Sequence, residues 1–95
     1  MDPRQIIETG IGSLGKIKII KALAEEGKMV TVYVLHKKTH LKREDIKNNL
    51  DDLVAIRWVR QLKSASVVYS VNRDEPGVMR FISFLRDVGY LEEPM

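Results

Sequence analysis

Apolar residues recur along this chain at two different periods, and the changes between them mark its elements. Leu14, Ile17, Ile20 and Leu23 fall at i, i+3, i+6 and i+9, one face of a helix. Ser13 stands ahead of them as an N-cap and Gly27 behind them as a stop, so the spacing predicts a helix from Ser13 to about Glu26. Met29 and Val30 read as a short extended pair. Thr31 then caps a helix over Val32 to about Thr39, in which the β-branched Val32 and Val34 are weak helix formers. From Lys42 to Val54, Ile46, Leu50 and Leu53 share one face with polar residues nearly everywhere else, which predicts a third helix. At Trp58 the period changes. Trp58 to Leu62 reads as a strand, Lys63-Ser64-Ala65 as a tight turn, and Ser66 to Val71 as a second strand with Val67, Tyr69 and Val71 on one side. Pro76 and Gly89 suit the first turn and the end of a last helix. Ahead of all these, Pro3 to Thr9 reads as a short opening helix interrupted by Gly10-Ile11-Gly12-Ser13. The expectation is a mainly α chain with a small β-hairpin, and no repeat or linker divides residues 1–95 into more than one domain.

Composition narrows the classes. At 44% hydrophobic and 31% charged residues the chain has the make-up of a folded protein. It has no cysteine, which excludes disulfides, thiolate metal sites and cysteine nucleophiles. No apolar run approaches the roughly 18 residues of a membrane span, and Met1-Asp-Pro-Arg-Gln5 lacks the basic-then-apolar order of a signal peptide. A cytoplasmic protein without a membrane partner is expected. Charge is uneven: residues 1–63 hold 13 basic and 8 acidic side chains, and residues 64–95 hold 3 and 5. A net of +5 in front and −2 behind points to different faces doing different jobs.

Three patterns invite chemistry. Gly10-Ile-Gly12-Ser-Leu-Gly15 spells G-x-G-x-x-G, but dinucleotide binding needs a strand before it and a βαβ unit after it. A joint between helices, with glycines for close packing, fits better. His36 and His40 have the i, i+4 spacing of a shared metal, yet no further His and no Cys exists to complete the site, and Lys37 and Lys38 stand between them. The adjacent pairs Glu25-Glu26 and Asp51-Asp52 point about 100° apart on a helix and do not converge on one substrate atom. No enzyme activity, cofactor or metal is expected.

The run Leu41-Lys-Arg-Glu-Asp-Ile46-Lys-Asn-Asn-Leu50-Asp-Asp-Leu53-Val-Ala-Ile-Arg-Trp58-Val59-Arg60 resembles the recognition helix and first wing strand of winged helix-turn-helix transcriptional regulators, in the arsenical-repressor-like class common in archaea and bacteria. Ser13 to Leu23 resembles that class's first helix, and Val78 to Leu91 its C-terminal helix. Two departures stand out: Arg57 occupies the bend where the class usually has glycine, and the wing tip is short. The resemblance implies sequence-dependent binding of double-stranded DNA, with a recognition helix over about 42–54 in the major groove and a wing over about 59–71 on the backbone. On a helical wheel with Ile46 at zero and Leu50 and Leu53 within about 40° of it, Arg43, Lys47, Glu44, Asp51 and Asn48 occupy an arc from about 60° to 200°. Arg43, Lys47 and Asn48 are candidates for base edges, Lys42, Lys37 and Lys38 for phosphates, and Arg60 and Lys63 for the wing. Glu44 and Asp51 offset two of these cations, and a near-neutral face also suits the alternative, a winged-helix protein–protein module that does not bind DNA. No small-molecule effector is expected, since a core of this size has little volume to spare.

Between Pro76 and Gly89 the apolar residues Val78, Phe81, Ile82, Phe84, Leu85 and Val88, with Met79, spread over more than half of the wheel. The excess predicts a homodimer paired through this helix, unless Ile6, Ile7 and Ile11 fold back to cover it.

Overall fold

The structure, a computed structural model, describes residues 13–91. The expected opening helix and its isoleucines, and Gly10 and Gly12, lie outside the described residues. The elements are α1 (Leu14–Glu26), α2 (Val32–Thr39), α3 (Arg43–Ala55), β1 (Val59–Lys63), β2 (Val67–Val71) and α4 (Pro76–Asp87). The architecture is mainly helical with one antiparallel hairpin, as the periodicity predicts, and it is a winged-helix fold, as the resemblance implies. Boundaries differ by a residue or two: Lys42 is the N-cap of α3, and α4 ends before Gly89.

The caps lie where the sequence places them. Ser13 Oγ accepts from the Lys16 amide at 3.3 Å, and Thr31 Oγ1 from the Val34 amide at 3.4 Å. Glu75, not anticipated from the sequence, caps α4 by accepting from the Val78 amide at 2.7 Å. Ile17, Ile20, Leu23, Leu35, Ile46, Leu50, Leu53, Val78 and Leu85 are fully buried in one shared core. Gly15 stands on the side of α1 facing α3, where an added Cβ would come within 2.6 Å of Asn49 Nδ2. Close helix packing therefore accounts for the third glycine of the G-x-G-x-x-G string.

In the hairpin Val59 pairs with Val71 and Lys63 with Val67. Val30 adds a one-residue third strand: its amide donates to the Tyr69 carbonyl at 2.9 Å and its carbonyl accepts from the Tyr69 amide at 2.8 Å. This bridge fastens the chain between α1 and α2 to the wing. Trp58 and Phe81 lie with ring centroids 5.7 Å apart, which joins the start of the wing to α4.

The apolar circumference of α4 resolves differently from the dimer expectation. Val78, Ile82 and Leu85 are 0%, 4% and 0% exposed in the chain's own core, so they are not free to form an interface with a second copy. The reason is that α4 packs against α1 on one side and against Trp58 on another, a wider contact than one helix stripe provides. Phe84 and Val88 are what remains exposed.

Candidate nucleic-acid interface

The helix-turn-helix is built from α2, the turn at His40–Lys42, and α3. His40 ends α2 in the left-handed conformation at φ 61°, a region where His is enriched among non-glycine residues. His36 Nδ1 lies 2.7 Å from the Leu41 carbonyl, to which it donates. Thr39 Oγ1 donates to the Leu35 carbonyl at 2.7 Å and accepts from the Leu41 amide at 3.2 Å. The two histidines thus shape a turn. Among the described residues no three His, Cys, Asp or Glu side chains are grouped to hold a metal ion.

Across that turn lies a cation cluster that the sequence reading did not single out. Tyr33, 54% exposed on α2, carries Lys37 Nζ at 5.5 Å from its ring centroid and the Arg43 guanidinium at 5.6 Å. One cation from each helix of the motif thus lies against the same ring. The available signal was an aromatic residue placed i, i+4 before a lysine on the polar side of a short helix. Lys42, the N-cap of α3, is exposed, as are Lys47 and Asn48 in its first half, together with Glu44, Asp45 and, one turn further on, Asp51.

Two of the other candidates make ion pairs within the chain. Lys38, expected along the sugar-phosphate backbone, is held on α1, with its Nζ 3.6 Å from Glu25 and 3.3 Å from Glu26. These partners lie on a neighbouring helix, 12 and 13 positions earlier, which the one-dimensional sequence does not disclose. Arg60 pairs with Asp74 beyond the hairpin, and Lys63 is exposed at the wing tip. Asp52, one of the adjacent carboxylates, ties α3 to Lys16 of α1 at 3.0 Å.

No protein-family model matches the sequence, and no curated protein matches it. Among solved structures the fold is similar to that of Bordetella bronchiseptica BpsR, a protein whose DNA binding is regulated by 6-hydroxynicotinic acid. The similarity has a TM-score of 0.67 at 13% identity and covers 90% of this chain and 70% of that one. The fold is therefore one that a DNA-binding protein also has. Among the described residues no helix is long and apolar enough to cross a membrane.

Proposed function

We propose that this chain is a non-catalytic, cytoplasmic transcriptional regulator of the arsenical-repressor-like winged-helix class, binding double-stranded DNA through α2, α3 and the wing. The observation that carries the reading is the exposed cluster on Tyr33, which brings Lys37 and Arg43 together across the helix-turn-helix at the N-terminal end of α3. That end of the recognition helix is the part that faces base edges in this motif. Lys42 contributes a phosphate contact beside the backbone N–H groups of the helix start, Arg43, Lys47 and Asn48 read bases, and Lys63 touches the backbone from the wing. Lys38 and Arg60 act as structural ion-pair partners.

A homodimer remains part of this reading, with Phe84 and Val88 as its contact in place of the broader face expected from the wheel. The response of BpsR to a small molecule argues against taking the size of the core as grounds to dispense with an effector. A site between elements needs no core volume.

The test is fluorescence anisotropy of the full chain on random and selected duplexes at two salt concentrations. Affinity should fall steeply, by about tenfold or more between roughly 50 and 200 mM salt, because each phosphate contact releases counterions. Lys42→Ala should weaken all duplexes alike, and Arg43→Ala or Asn48→Ala should also blunt base preference. No duplex binding at low salt would leave the protein–protein module as the reading of this face.

A further inference from the structure

β1 is an edge strand, and the hydrogen-bond phase of the hairpin fixes which of its backbone groups are free. The Tyr69 carbonyl of β2 accepts from the Val30 amide at 2.9 Å, and the Tyr69 amide donates to the Val30 carbonyl at 2.8 Å, so both point away from β1. Antiparallel pairing alternates along a ladder, and the bonded pairs are therefore Arg60 with Ser70 and Leu62 with Val68. Bonds at the two ends, from the Asn72 amide to the Trp58 carbonyl and from the Ser64 amide to the Ser66 carbonyl, keep the same phase. The amides and carbonyls of Gln61 and Lys63 are thus turned away from β2. Both residues are exposed, and no strand among the described residues lies beyond them. Beside this edge runs an open groove of about 440 Å³. Arg57, Arg60, Gln61 and Asn72 form its polar wall, with no carboxylate among the described residues that line it. The rest of the wall is apolar and includes Leu62 and Met29, 51% and 40% exposed. Arg60 is paired with Asp74, whereas neither Arg57 nor Lys63 makes an ion pair among the described residues. The turn itself does not call for an arginine: at φ 66° glycine is the relaxed residue, and a strained backbone of this kind is expected where a side chain serves a contact.

We propose that an extended, acidic segment of another protein adds to this edge as a further strand, bonded to the backbone of Gln61 and Lys63. In strand addition the main-chain bonds supply affinity and the side-chain pockets supply selectivity. Successive side chains of a strand leave it on opposite faces, as those of Leu62 and Lys63 do on β1. A segment that alternates acidic and apolar residues therefore sets its apolar side chains against Leu62 and the groove, and its carboxylates beside Lys63. Arg57, at the start of the edge, takes a further carboxylate. The unpaired cations select this occupant. A second copy of the chain would bring the same cations together, which is how charged edges avoid pairing with themselves. A neutral strand would leave Arg57 and Lys63 unmatched. The inference does not rest on the DNA-binding reading and shares only Lys63 with it.

The test is a titration of the full ¹⁵N-labelled chain with a capped hexapeptide of alternating glutamate and valine. Its comparators are the same peptide with lysine in place of glutamate and the glutamate peptide fully N-methylated. The glutamate peptide should give saturable shifts and slowed hydrogen exchange at the Gln61 and Lys63 amides. The Arg60 and Leu62 amides, already bonded to β2, should be protected with or without it. The lysine peptide should bind about tenfold more weakly, the scale of two exposed ion pairs lost and reversed, and the N-methylated peptide should not bind. Arg57→Gln should weaken the glutamate peptide about two- to fivefold, the scale of one exposed ion pair. Lys18→Gln, on α1 and outside the groove, should leave it unchanged. Absence of saturable shifts at the two edge amides, or equal binding of the lysine peptide, overturns the proposal. Protection of those amides in the protein alone, rising with its concentration, would assign the edge to a second copy. Shifts there with duplex and none with peptide would assign it to nucleic acid, and either result overturns the acidic strand.

Discussion

At the scale of single residues, two helices of this chain end in the same hydrogen-bond pattern with different residues at the turning point. After α3 the Arg57 amide donates to the Val54 carbonyl and the Trp58 amide to the Leu53 carbonyl, both at 3.0 Å. After α4 the Gly89 amide donates to the Arg86 carbonyl and the Tyr90 amide to the Leu85 carbonyl. Both are Schellman endings, which place one residue in the left-handed region. Gly89 occupies it at φ 76° without a Cβ clash, and Arg57 occupies it at φ 66° with one. Arg57 is kept there partly by Asn72, whose side-chain amide donates to the Arg57 carbonyl at 2.8 Å and whose backbone amide donates to the Trp58 carbonyl. Relief of the left-handed cost outweighs the entropy that a glycine adds to the unfolded chain. Arg57→Gly should therefore stabilise the protein by about 0.5–1 kcal/mol. Gly89→Ala should destabilise it by about 1 kcal/mol. Urea denaturation midpoints of the two variants should move in opposite directions, and a fall in stability for Arg57→Gly would show that the arginine side chain makes a contact worth more than the strain.

At the scale of elements, α2 is short and owes little to intrinsic propensity, so its position comes from its fastenings. Thr31 caps its start, His36 and Thr39 bond the turn at its end, Lys38 ties it to α1, and Leu35 is buried in the core. The outer side is then free to carry Tyr33 and Lys37. If Tyr33 orients Lys37 and Arg43 for DNA through its ring, Tyr33→Phe should retain duplex affinity. Tyr33→Ala should lose about three- to tenfold, the scale of one to two exposed cation–π contacts. Circular dichroism should be unchanged in both variants, because the side chain is more than half exposed. Loss of affinity in the phenylalanine variant as well would assign the role to the hydroxyl, as a hydrogen-bonding group on phosphate or base, and not to the ring.

At the scale of the whole molecule, the cation cluster and the exposed apolar residues at the end of the last helix lie on different elements. The cation cluster lies on α2 and α3, and the exposed apolar residues of α4 are Phe84 and Val88, 38% and 37% accessible. Two exposed residues are a smaller patch than the six positions the wheel supplies, so a dimer held by them is weaker than the sequence suggests. Sedimentation equilibrium should show a concentration-dependent shift toward twice 10.9 kDa in the micromolar range, and Phe84→Glu should abolish it. A single 10.9 kDa species throughout would make the chain a monomer, and a dimer that survives Phe84→Glu would place the contact on another surface.

The sequence by itself determined the order of the elements from Ser13 onward and their limits to within a residue or two, because caps, glycine stops and hydrophobic period act over a few residues. Ser13, Thr31, Gly27 and the stripe Ile46, Leu50, Leu53 require nothing distant to be read. The sequence also pointed to the strained bend at Arg57, through the glycine expected there. Tertiary structure decided everything that depends on which side chains meet across elements. Ion-pair partners separated by 12 or 13 positions claimed Lys38, and a ring on the neighbouring helix gathered Arg43. Val78, Ile82 and Leu85 went into the chain's own core, because burial is set by the sum of surfaces packed around α4 and a helical wheel describes only one of them.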